Sequence, residues 1–236
     1  MSSDQAPIND SVAIRRILGS AEALLLDFDG PICAVFTGIP ACRVASKLRT
    51  VLTAGGDIRL PSEIILTEDP FDVLSYAASV GKDQAGRVEA ALEKFELESV
   101  TRAELIDGSL ALMANCSALG LAIAIVSNNS ASAVERFVNA KNIDRYVDVV
   151  SARNGSDVSV LKPNPYLVSS ALHSLQVQAS KSVLIGDSAT DMVAGKLAGS
   201  SVFGFANKPG KFTTLRDAGA DLVFTDMSHV ARSVLV

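Results

Sequence analysis

Residues 23–30 read ALLLDFDG, an unbroken apolar run that ends abruptly in two acidic residues and a glycine. Continuous apolar character, without alternation, is typical of a strand that is buried on both faces of a parallel sheet. We therefore predict a strand over residues 23–27. Its carboxyl end then presents Asp27 and Asp29 at one edge of the sheet.

Similar apolar runs recur along the chain, and helical stretches separate them. Strands that alternate with helices indicate βαβ units and a parallel sheet covered on both faces. The predicted fold class is therefore α/β, a doubly wound parallel sheet of the Rossmann-like kind. The further strands are predicted at residues 121–127, 147–152, 182–186 and 201–205, with a candidate edge strand at 221–224. The helices are predicted at residues 11–18, 109–119, 131–141, 165–175, 191–197 and 211–218.

One interval, residues 33–101, breaks this alternation. It contains helical stretches at 43–54, 71–80 and 84–97 and no convincing buried strand. Such a connection is too long for a loop, since structureless loops beyond about 12–15 residues are uncommon. We predict a helical domain inserted at the carboxyl end of the first strand, and an α/β core formed by residues 1–32 and 102–236. Because parallel sheets bind ligands at that end, the insertion is expected to cover the site as a cap.

The composition limits the class of partner. The chain of 236 residues has 21 Lys and Arg against 26 Asp and Glu, a formal net charge of −5. This balance disfavours a protein whose main task is to grip nucleic acid or an anionic membrane. Hydrophobic residues make up 48% of the chain, which is enough for a substantial core.

The same composition predicts a cytoplasmic protein. The apolar runs are too short to span a bilayer, and the first residues lack the basic and apolar regions of a signal peptide. Three widely spaced cysteines without a C-x-x-C pair are typical of reduced thiols. The oligomeric state stays open.

Acidic residues follow two of the predicted strands, and their chemistry indicates a metal site. Asp27 follows the first strand, while Asp187 and Asp191 follow the run at 182–186. In a doubly wound sheet these carboxylates converge at one edge. Two like charges 4 Å apart repel by roughly 4 kcal/mol at an effective dielectric constant near 20, so the cluster requires a cation. Oxygen ligands without His or Cys favour a hard cation such as Mg²⁺.

Two further residues at this edge suit a phosphoryl group. Ser127 supplies a hydroxyl and Lys162 a fixed positive charge, and phosphoryl oxygens require such groups. Asp27 is then the candidate nucleophile and Asp29 the candidate proton donor, as an aspartyl-phosphate intermediate needs. Asp191 has a second interpretation, as an acid in the first turn of a helix.

With these motifs in place, the sequence resembles the haloacid dehalogenase superfamily of hydrolases. The likeness is to its phosphatase branch with a helical cap of the C1 type, the group of phosphoglycolate phosphatases and β-phosphoglucomutases. It covers nearly the whole chain apart from the N-terminal tail. Dehalogenating members lack the second Asp of the D-x-D motif, so Asp29 argues for phosphate chemistry. The motifs are Asp27-x-Asp29-Gly30, Ser127, Lys162-Pro163 and Gly186-Asp187-x-x-x-Asp191.

The resemblance implies Mg²⁺-dependent hydrolysis of the phosphate monoester of a small metabolite. It implies that Asp27 attacks phosphorus and that Asp29 protonates the leaving alcohol and then activates water. Mg²⁺ would be bound by the Asp27 carboxylate, the Asp29 backbone carbonyl and Asp187, with Asp191 a ligand through water or a partner outside the first ligand shell. The transferring phosphoryl group would be held by Ser127, Asn128 and Lys162.

Two positions depart from the family pattern. Pro31 stands where the phosphatases usually carry Thr or Val, and Ala34 where many cap-bearing members have an acidic residue. Proline removes an N–H and fixes φ, so we expect a stiffer segment after the nucleophile. The loop after the fifth strand is expected to border the substrate through Asn207 or Lys208.

Three alternatives to a small-molecule phosphatase remain open. A phosphomutase of the same fold passes the phosphoryl group to a sugar hydroxyl and shares every motif. A phospho-acceptor signalling module also uses an Asp, Mg²⁺ and a Lys, but the long insertion and the D-x-D arrangement argue against it. A catalytically silent binding protein is disfavoured because the acidic set is complete.

Overall fold

The protein is described by a computed structural model that covers residues 9–54, 56 and 58–234. Its centre is one six-stranded parallel sheet. The strands are β1 (Ala23–Leu26), β2 (Ala122–Ser130), β3 (Val149–Arg153), β4 (Ser182–Gly186), β5 (Ser201–Phe205) and β6 (Leu222–Phe224). They lie in the order β3-β2-β1-β4-β5-β6. All five predicted strands and the candidate edge strand are present, and the predicted fold class is confirmed.

Helices connect the strands and cover the sheet. They are α1 (Ser11–Leu18), α2 (Ala41–Thr53), α3 (Ser62–Leu66), α4 (Pro70–Val80), α5 (Lys82–Ser99), α6 (Ser109–Ala118), α7 (Ala131–Ala140), α8 (Tyr166–Leu175), α9 (Ala189–Ala198), α10 (Lys211–Asp217) and α11 (Met227–Ser233). Two helices were not predicted from the sequence, α3 and α11, which have 5 and 7 residues. With little more than one turn, α3 is too short to show a helical period.

β1 lies inside the sheet, and its residues alternate between two apolar cores. Leu24 and Leu26 belong to the core that contains α1, α6, α7 and α11, whereas Leu25 belongs to the core that contains α8 and α9. All three side chains are buried, and full burial of one leucine contributes about 1.5–3 kcal/mol. Both faces of β1 are therefore apolar, which is why residues 23–26 show no alternation.

Four helices, α2 to α5, lie between β1 and α6, where the sequence predicts the insertion. The described residues of this interval contain no strand. Leu48, Val73 and Leu92 of these helices are fully buried and belong to the same apolar cluster as Leu25. The exact limits of the insertion, residues 33 and 101, stay a prediction.

Bilayer-spanning helices are absent from the described part of the chain: none of its helices is both long enough and apolar enough.

Candidate active site

The carboxyl ends of β1, β2 and β4 meet at one edge of the sheet, because these strands are parallel neighbours. Asp27 directly follows β1, Asn128 and Asn129 lie near the end of β2, and Asp187 directly follows β4. Together with residues of the insertion they line a cavity of about 550 Å³. Lys162, from the loop between β3 and α8, reaches the same cavity.

Lys162 joins two of the acidic residues. Its Nζ donates a hydrogen bond to Asp27 Oδ1 at 2.7 Å and lies 2.6 Å from Asp191 Oδ1. It also donates to the backbone oxygen of Val126 at 2.9 Å. Burial alone would lower the pKa of Lys162, but the two carboxylates raise it overall. The ammonium group is therefore a permanent positive charge at the base of the cavity.

The two carboxylates that face Lys162 are buried. The pKa of Asp27 is raised, first by burial and then by the neighbouring Asp191, although Lys162 acts in the opposite direction. Asp191 is an acid in the first turn of a helix, as its second interpretation predicts, and its role at a metal ion stays a prediction. It is the acidic member of a capping box with Ser188 at the start of α9, and its other oxygen faces Lys162.

Asp187 is held by the loop after β5. Its Oδ2 accepts a hydrogen bond from Asn207 Nδ2 at 2.9 Å and is paired with the Nζ of Lys211, the first residue of α10. Asn207 was expected to border the substrate, and the structure directs its amide to Asp187 instead. The loop after β5 thus orients a carboxylate of the site.

Gly30 allows the D-x-D-G segment to approach Asp187. Its φ is +126°, a conformation that residues with a side chain rarely adopt. A Cβ at this position would lie 2.4 Å from the carboxyl carbon of Asp187. The glycine of the motif is therefore required by the close packing of two loops.

The acidic residues have the chemistry of a site for a hard cation. Asp27, Asp187 and Asp191 each offer an oxygen, and these atoms lie within 4.8 Å of one another. Asp191 Oδ1 is buried and accepts no hydrogen bond, since its contact with Lys162 is an ion pair outside hydrogen-bond geometry. Carboxylate oxygens without nitrogen or sulphur are suited to Mg²⁺. The residues present therefore fit the expected cofactor.

Asp29 lines the cavity beside Asp27. Its Oδ1 accepts a hydrogen bond from the backbone N–H of Val35 at 2.8 Å. Burial raises the pKa of Asp29 to about 6, while the bond from Val35 partly opposes this shift. A carboxyl group with such a pKa is able to give and take a proton near neutral pH.

The segment after Asp29 is fastened to the chain that leads into α6. Gly30 donates its N–H to the oxygen of Cys33 at 2.7 Å, and the oxygen of Pro31 accepts a bond from Ser109 Oγ at 2.6 Å. The oxygen of Ile32 accepts the N–H of Ile106 at 2.9 Å. These bonds add to the restraint that proline itself imposes on the backbone.

The structure places Ser127 behind the cavity wall. Ser127 is fully buried, its hydroxyl donates to Asn129 Oδ1 at 3.1 Å, and its Oγ accepts the N–H of Asn129 at 3.0 Å. Asn129 lines the cavity in its place. The Ser127 hydroxyl was expected to hold a phosphoryl group. In the structure it is bonded to Asn129, the residue that faces the cavity.

Asn128 clamps the backbone of Lys162. Its Nδ2 donates to the oxygen of Lys162 at 3.0 Å, and its Oδ1 accepts the N–H of Lys162 at 2.8 Å. Both polar ends of the amide are thus in use, although Asn128 was expected to contact substrate. These two hydrogen bonds hold the backbone of Lys162 beside the end of β2.

Two charged residues that were not predicted from the sequence lie behind this site. Glu96 of α5 and Arg153 at the end of β3 are almost completely buried and form an ion pair of 2.6 Å. A signal was present for Glu96, because it continues the buried helical series Ala85, Val88 and Leu92. A charged residue in the apolar position of such a series predicts a buried partner.

The wall of the cavity that the insertion contributes is acidic. Glu68, Asp69 and Asp72 line it around the start of α4, and all three are exposed. Arg49 of α2 donates to the backbone oxygens of Ile64 and Thr67. Among the lining residues that the structure describes, Lys162 is the sole cation.

Comparison with known proteins gives the following likenesses. A family model described as haloacid dehalogenase-like hydrolase matches residues 66–205, more than half of the chain. Asp27 and Asp29 precede this range.

Two curated relatives carry the name phosphoglycolate phosphatase. The protein of Rhodospirillum rubrum is 26% identical over 144 residues, which cover 59% of this chain and 56% of the relative. The protein of Vibrio parahaemolyticus is 29% identical over 118 residues, which cover 50% of each chain. The chain thus spans about half the length of the curated relatives it matches.

The fold has counterparts among solved structures. A predicted phosphatase from Clostridium acetobutylicum superposes with a TM-score of 0.70 at 15% identity, covering 91% of this chain and 98% of the other. At this identity the likeness supports the fold alone.

Proposed function

The chain belongs to the haloacid dehalogenase-like hydrolases, and from this premise we propose that it is a Mg²⁺-dependent phosphatase of small phosphate monoesters. The observation that carries the proposal is the arrangement around Lys162. The Lys162 ammonium group contacts Asp27 at the end of β1 and also Asp191. Asp29 and Asp187 line the same cavity. The names of the curated relatives support phosphate chemistry for this chain.

In the first half of the proposed reaction, an oxygen of Asp27 attacks the phosphorus atom of the bound ester. The bond between phosphorus and the ester oxygen breaks, and Asp29 gives its proton to that oxygen, so that the alcohol leaves neutral. Because the pKa of Asp29 is raised to about 6, part of the protein molecules carry this proton near neutral pH. The product is a phosphoryl group bonded to Asp27.

In the second half, the ionised Asp29 takes a proton from water. The water oxygen attacks phosphorus, the bond to the Asp27 oxygen breaks, and inorganic phosphate is released. Asp27 is regenerated as a carboxylate and Asp29 as an acid. The same residue acts as acid and then base, which requires the water to occupy the place that the alcohol has left.

Lys162 compensates negative charge throughout, because its ammonium group contacts Asp27 directly. We propose that Asn128 contributes by clamping Lys162, and Ser127 by fixing Asn129 at the wall of the cavity. Asp27, Asp187 and Asp191 would hold Mg²⁺, with the Asp29 backbone carbonyl as a further ligand. When bound, the ion supplies positive charge to the phosphoryl oxygens as charge develops on them.

The substrate class follows from the same cavity. A volume of about 550 Å³ suits a small phosphorylated metabolite. The insertion, residues 33–101, acts as its cap in this proposal.

The three cysteines are unpaired, which supports the predicted cytoplasmic location.

A screen of phosphorylated metabolites with Mg²⁺, scored by release of inorganic phosphate, tests the proposal. We expect turnover that stops on chelation with EDTA and that Asp27→Asn lowers by at least ~10³-fold, as loss of a nucleophile does. Intact turnover in Asp27→Asn would show that the nucleophile is wrong. Isomerised sugar phosphate in place of inorganic phosphate would identify the phosphomutase alternative.

A further inference from the structure

The strand β2 bulges where it enters the active site. Ser127 pairs with Ala152 of β3, but the next pair joins Ser130 to Arg153. Asn128 and Asn129 therefore have no partner on β3. Bulges of this kind re-aim side chains next to active sites and leave backbone groups without their ladder bonds.

Two charged side chains satisfy the groups that the bulge releases. Arg153 Nε donates to the backbone oxygen of Asn128 at 2.9 Å. Glu96 accepts the N–H of Ser130 at 3.0 Å through Oε2 and the side-chain amide of Asn129 at 3.0 Å through Oε1. Three of the four residues of the bulge, Asn128, Asn129 and Ser130, are thus hydrogen-bonded to Glu96 or Arg153.

The acid and the base are bound to each other. Arg153 Nη2 lies 2.6 Å from Glu96 Oε2, its Nη1 pairs with Glu89, and Arg153 and Glu96 are 1% and 0% exposed. Replacing a buried ion pair by apolar residues is often neutral or stabilising. A contribution to folding stability therefore does not explain why this ion pair is present. The geometry that the ion pair imposes on the bulge does explain it.

The acid comes from the insertion. Glu89, Glu93 and Glu96 occupy one face of α5, at the helical spacing of four and three residues. Glu93 is hydrogen-bonded to Ser132 at the start of α7, just beyond the bulge. Helix α5 of the insertion thus contacts the bulge, the start of α7 and Arg153.

We propose that Glu96 and Arg153 are positioning residues for the segment 127–130, which is called the phosphoryl loop below. Through them, helix α5 of the insertion sets the position of Asn129 at the wall of the active site. This inference rests on the proposed phosphatase function and adds to it two residues that do not line the cavity. Displacements of about 1 Å in such supporting structure reduce turnover by up to ~10²-fold.

The test begins with Glu96→Gln. Glutamine has the shape of glutamate, but one of its terminal atoms is a donor, so it cannot accept from Arg153, Asn129 and Ser130 together. With p-nitrophenyl phosphate and Mg²⁺, we expect kcat to fall roughly 10- to 100-fold. KM should change little, because Lys162, the proposed contact of the phosphoryl group, keeps its own hydrogen bonds.

Two variants control for the chemical change and for lost stability. Glu104→Gln makes the same chemical change in an ion pair whose glutamate is 82% exposed. Because exposed pairs contribute little, this variant should keep kcat within twofold of the wild-type value, which we count as no effect. Val88→Ala removes buried volume from α5 without touching the bulge. If Glu96→Gln reduces kcat no more than Val88→Ala at equal loss of thermal stability, the positioning role is refuted.

A double-mutant cycle with Asn129→Ala identifies the route of the effect. If Glu96 acts through Asn129, then Glu96→Gln lowers kcat far less in the Asn129→Ala background than in the wild type. Multiplying effects would mean that the two residues act independently and would overturn the inference. For the control pair, the fold-reductions of kcat caused by Val88→Ala and by Asn129→Ala should multiply in the double variant.

A last measurement does not depend on catalysis. The Ser130 N–H donates a hydrogen bond to Glu96, which should slow its hydrogen exchange, so Glu96→Gln should accelerate that exchange while Val88→Ala should not. If the wild type releases no phosphate from any ester, the proposed function fails, and this exchange rate alone decides whether Glu96 holds the loop. Unchanged exchange would overturn the inference whatever the activity.

Discussion

Lys162 Nζ donates a hydrogen bond of 2.7 Å to Asp27 Oδ1, although the two residues are 135 positions apart in the chain. The same ammonium group lies 2.6 Å from Asp191. One buried cation therefore separates two buried carboxylates that would otherwise repel each other. We expect the stability of the site, and its affinity for the proposed Mg²⁺, to depend on this contact.

Lys162→Met should destabilise the protein most strongly when no divalent cation is available. Removing one partner of a buried ion pair costs about 3–5 kcal/mol, because the remaining charge is uncompensated. We expect a loss of this size in urea unfolding with EDTA. Addition of magnesium chloride should recover part of it and stabilise the variant more than the wild type, since the ion replaces the missing positive charge.

Lys196→Met serves as the control for that experiment. Lys196 pairs with Asp221 at the surface, where the two side chains are 42% and 34% exposed. Such pairs contribute about 0–1 kcal/mol, and Mg²⁺ should not alter the loss. A Mg²⁺ response of Lys162→Met equal to that of Lys196→Met would argue against a cation site at Asp27 and Asp191.

Gly30→Ala should disturb the site more than the fold. The φ of +126° at Gly30 is costly for alanine, about 1–3 kcal/mol, and the new Cβ would push the Asp187 carboxylate from its place. We therefore expect a modest fall in the melting temperature and a loss of Mg²⁺-induced thermal stabilisation. Differential scanning calorimetry with and without Mg²⁺ measures both.

Gly86→Ala is the matched glycine control. Gly86 lies inside α5, where an added Cβ meets no atom within 4 Å. Alanine there should raise the stability by roughly 0.5–1 kcal/mol and leave the Mg²⁺ response intact. A normal Mg²⁺ response in Gly30→Ala would contradict the proposed role of Asp187.

The sequence allowed the sheet to be predicted because its strands are buried on both faces. Apolar runs such as residues 23–26 need no alternation, and those of β1 and β4 are followed at once by the acidic residues Asp27 and Asp187. Parallel pairing then brings Asp27 and Asp187 to one edge without knowledge of any side-chain position. Local pattern and topology were sufficient for this part of the site.

The roles of Ser127, Asn128 and Glu96 depend on contacts that no local pattern contains. The bulge in β2 arises from its register against β3, and this turns Ser127 away from the cavity and Asn128 onto the backbone of Lys162. Glu96 finds its partner Arg153 57 positions along the chain. Such contacts become visible only when the elements are packed together.

Thiol labelling should separate the three cysteines by burial. Cys42 is exposed, whereas Cys33 and Cys116 are buried. Burial raises the pKa of Cys116 to about 12 and that of Cys33 well above its usual range. Because the thiolate is the reactive form, both stay protonated and unreactive as the pH rises to mildly alkaline values. We expect one fast-reacting thiol in the native protein and three after denaturation.

Cys42→Ser should remove the fast phase and leave the slow thiols unchanged. Mass spectrometry of the labelled peptides identifies the site in each case. Rapid native labelling at Cys33 would mean that the segment after Asp29 opens readily, contrary to its bonds with the chain before α6.

The acidic wall of the insertion should select substrates by the charge of the leaving alcohol. Asp69 lines the cavity at the start of α4, together with Glu68 and Asp72, and a carboxylate on the alcohol would face all three. Each such repulsion amounts to about 1 kcal/mol at 4 Å in a water-like dielectric, and added salt weakens it. Phosphoglycolate should therefore have a lower kcat/KM than phosphoethanolamine or glycerol phosphate at low ionic strength.

Asp69→Asn tests this selection without loss of the helix cap, because Asn caps helices as well as Asp does and can still accept the N–H of Phe71. The variant should raise kcat/KM for phosphoglycolate about fivefold, as the loss of about 1 kcal/mol of repulsion requires, and change the value for glycerol phosphate little. Glu63→Gln, a change on α3 outside the cavity lining, should alter neither ratio. If phosphoglycolate is the preferred ester of the wild type at low salt, the acidic wall does not set the specificity.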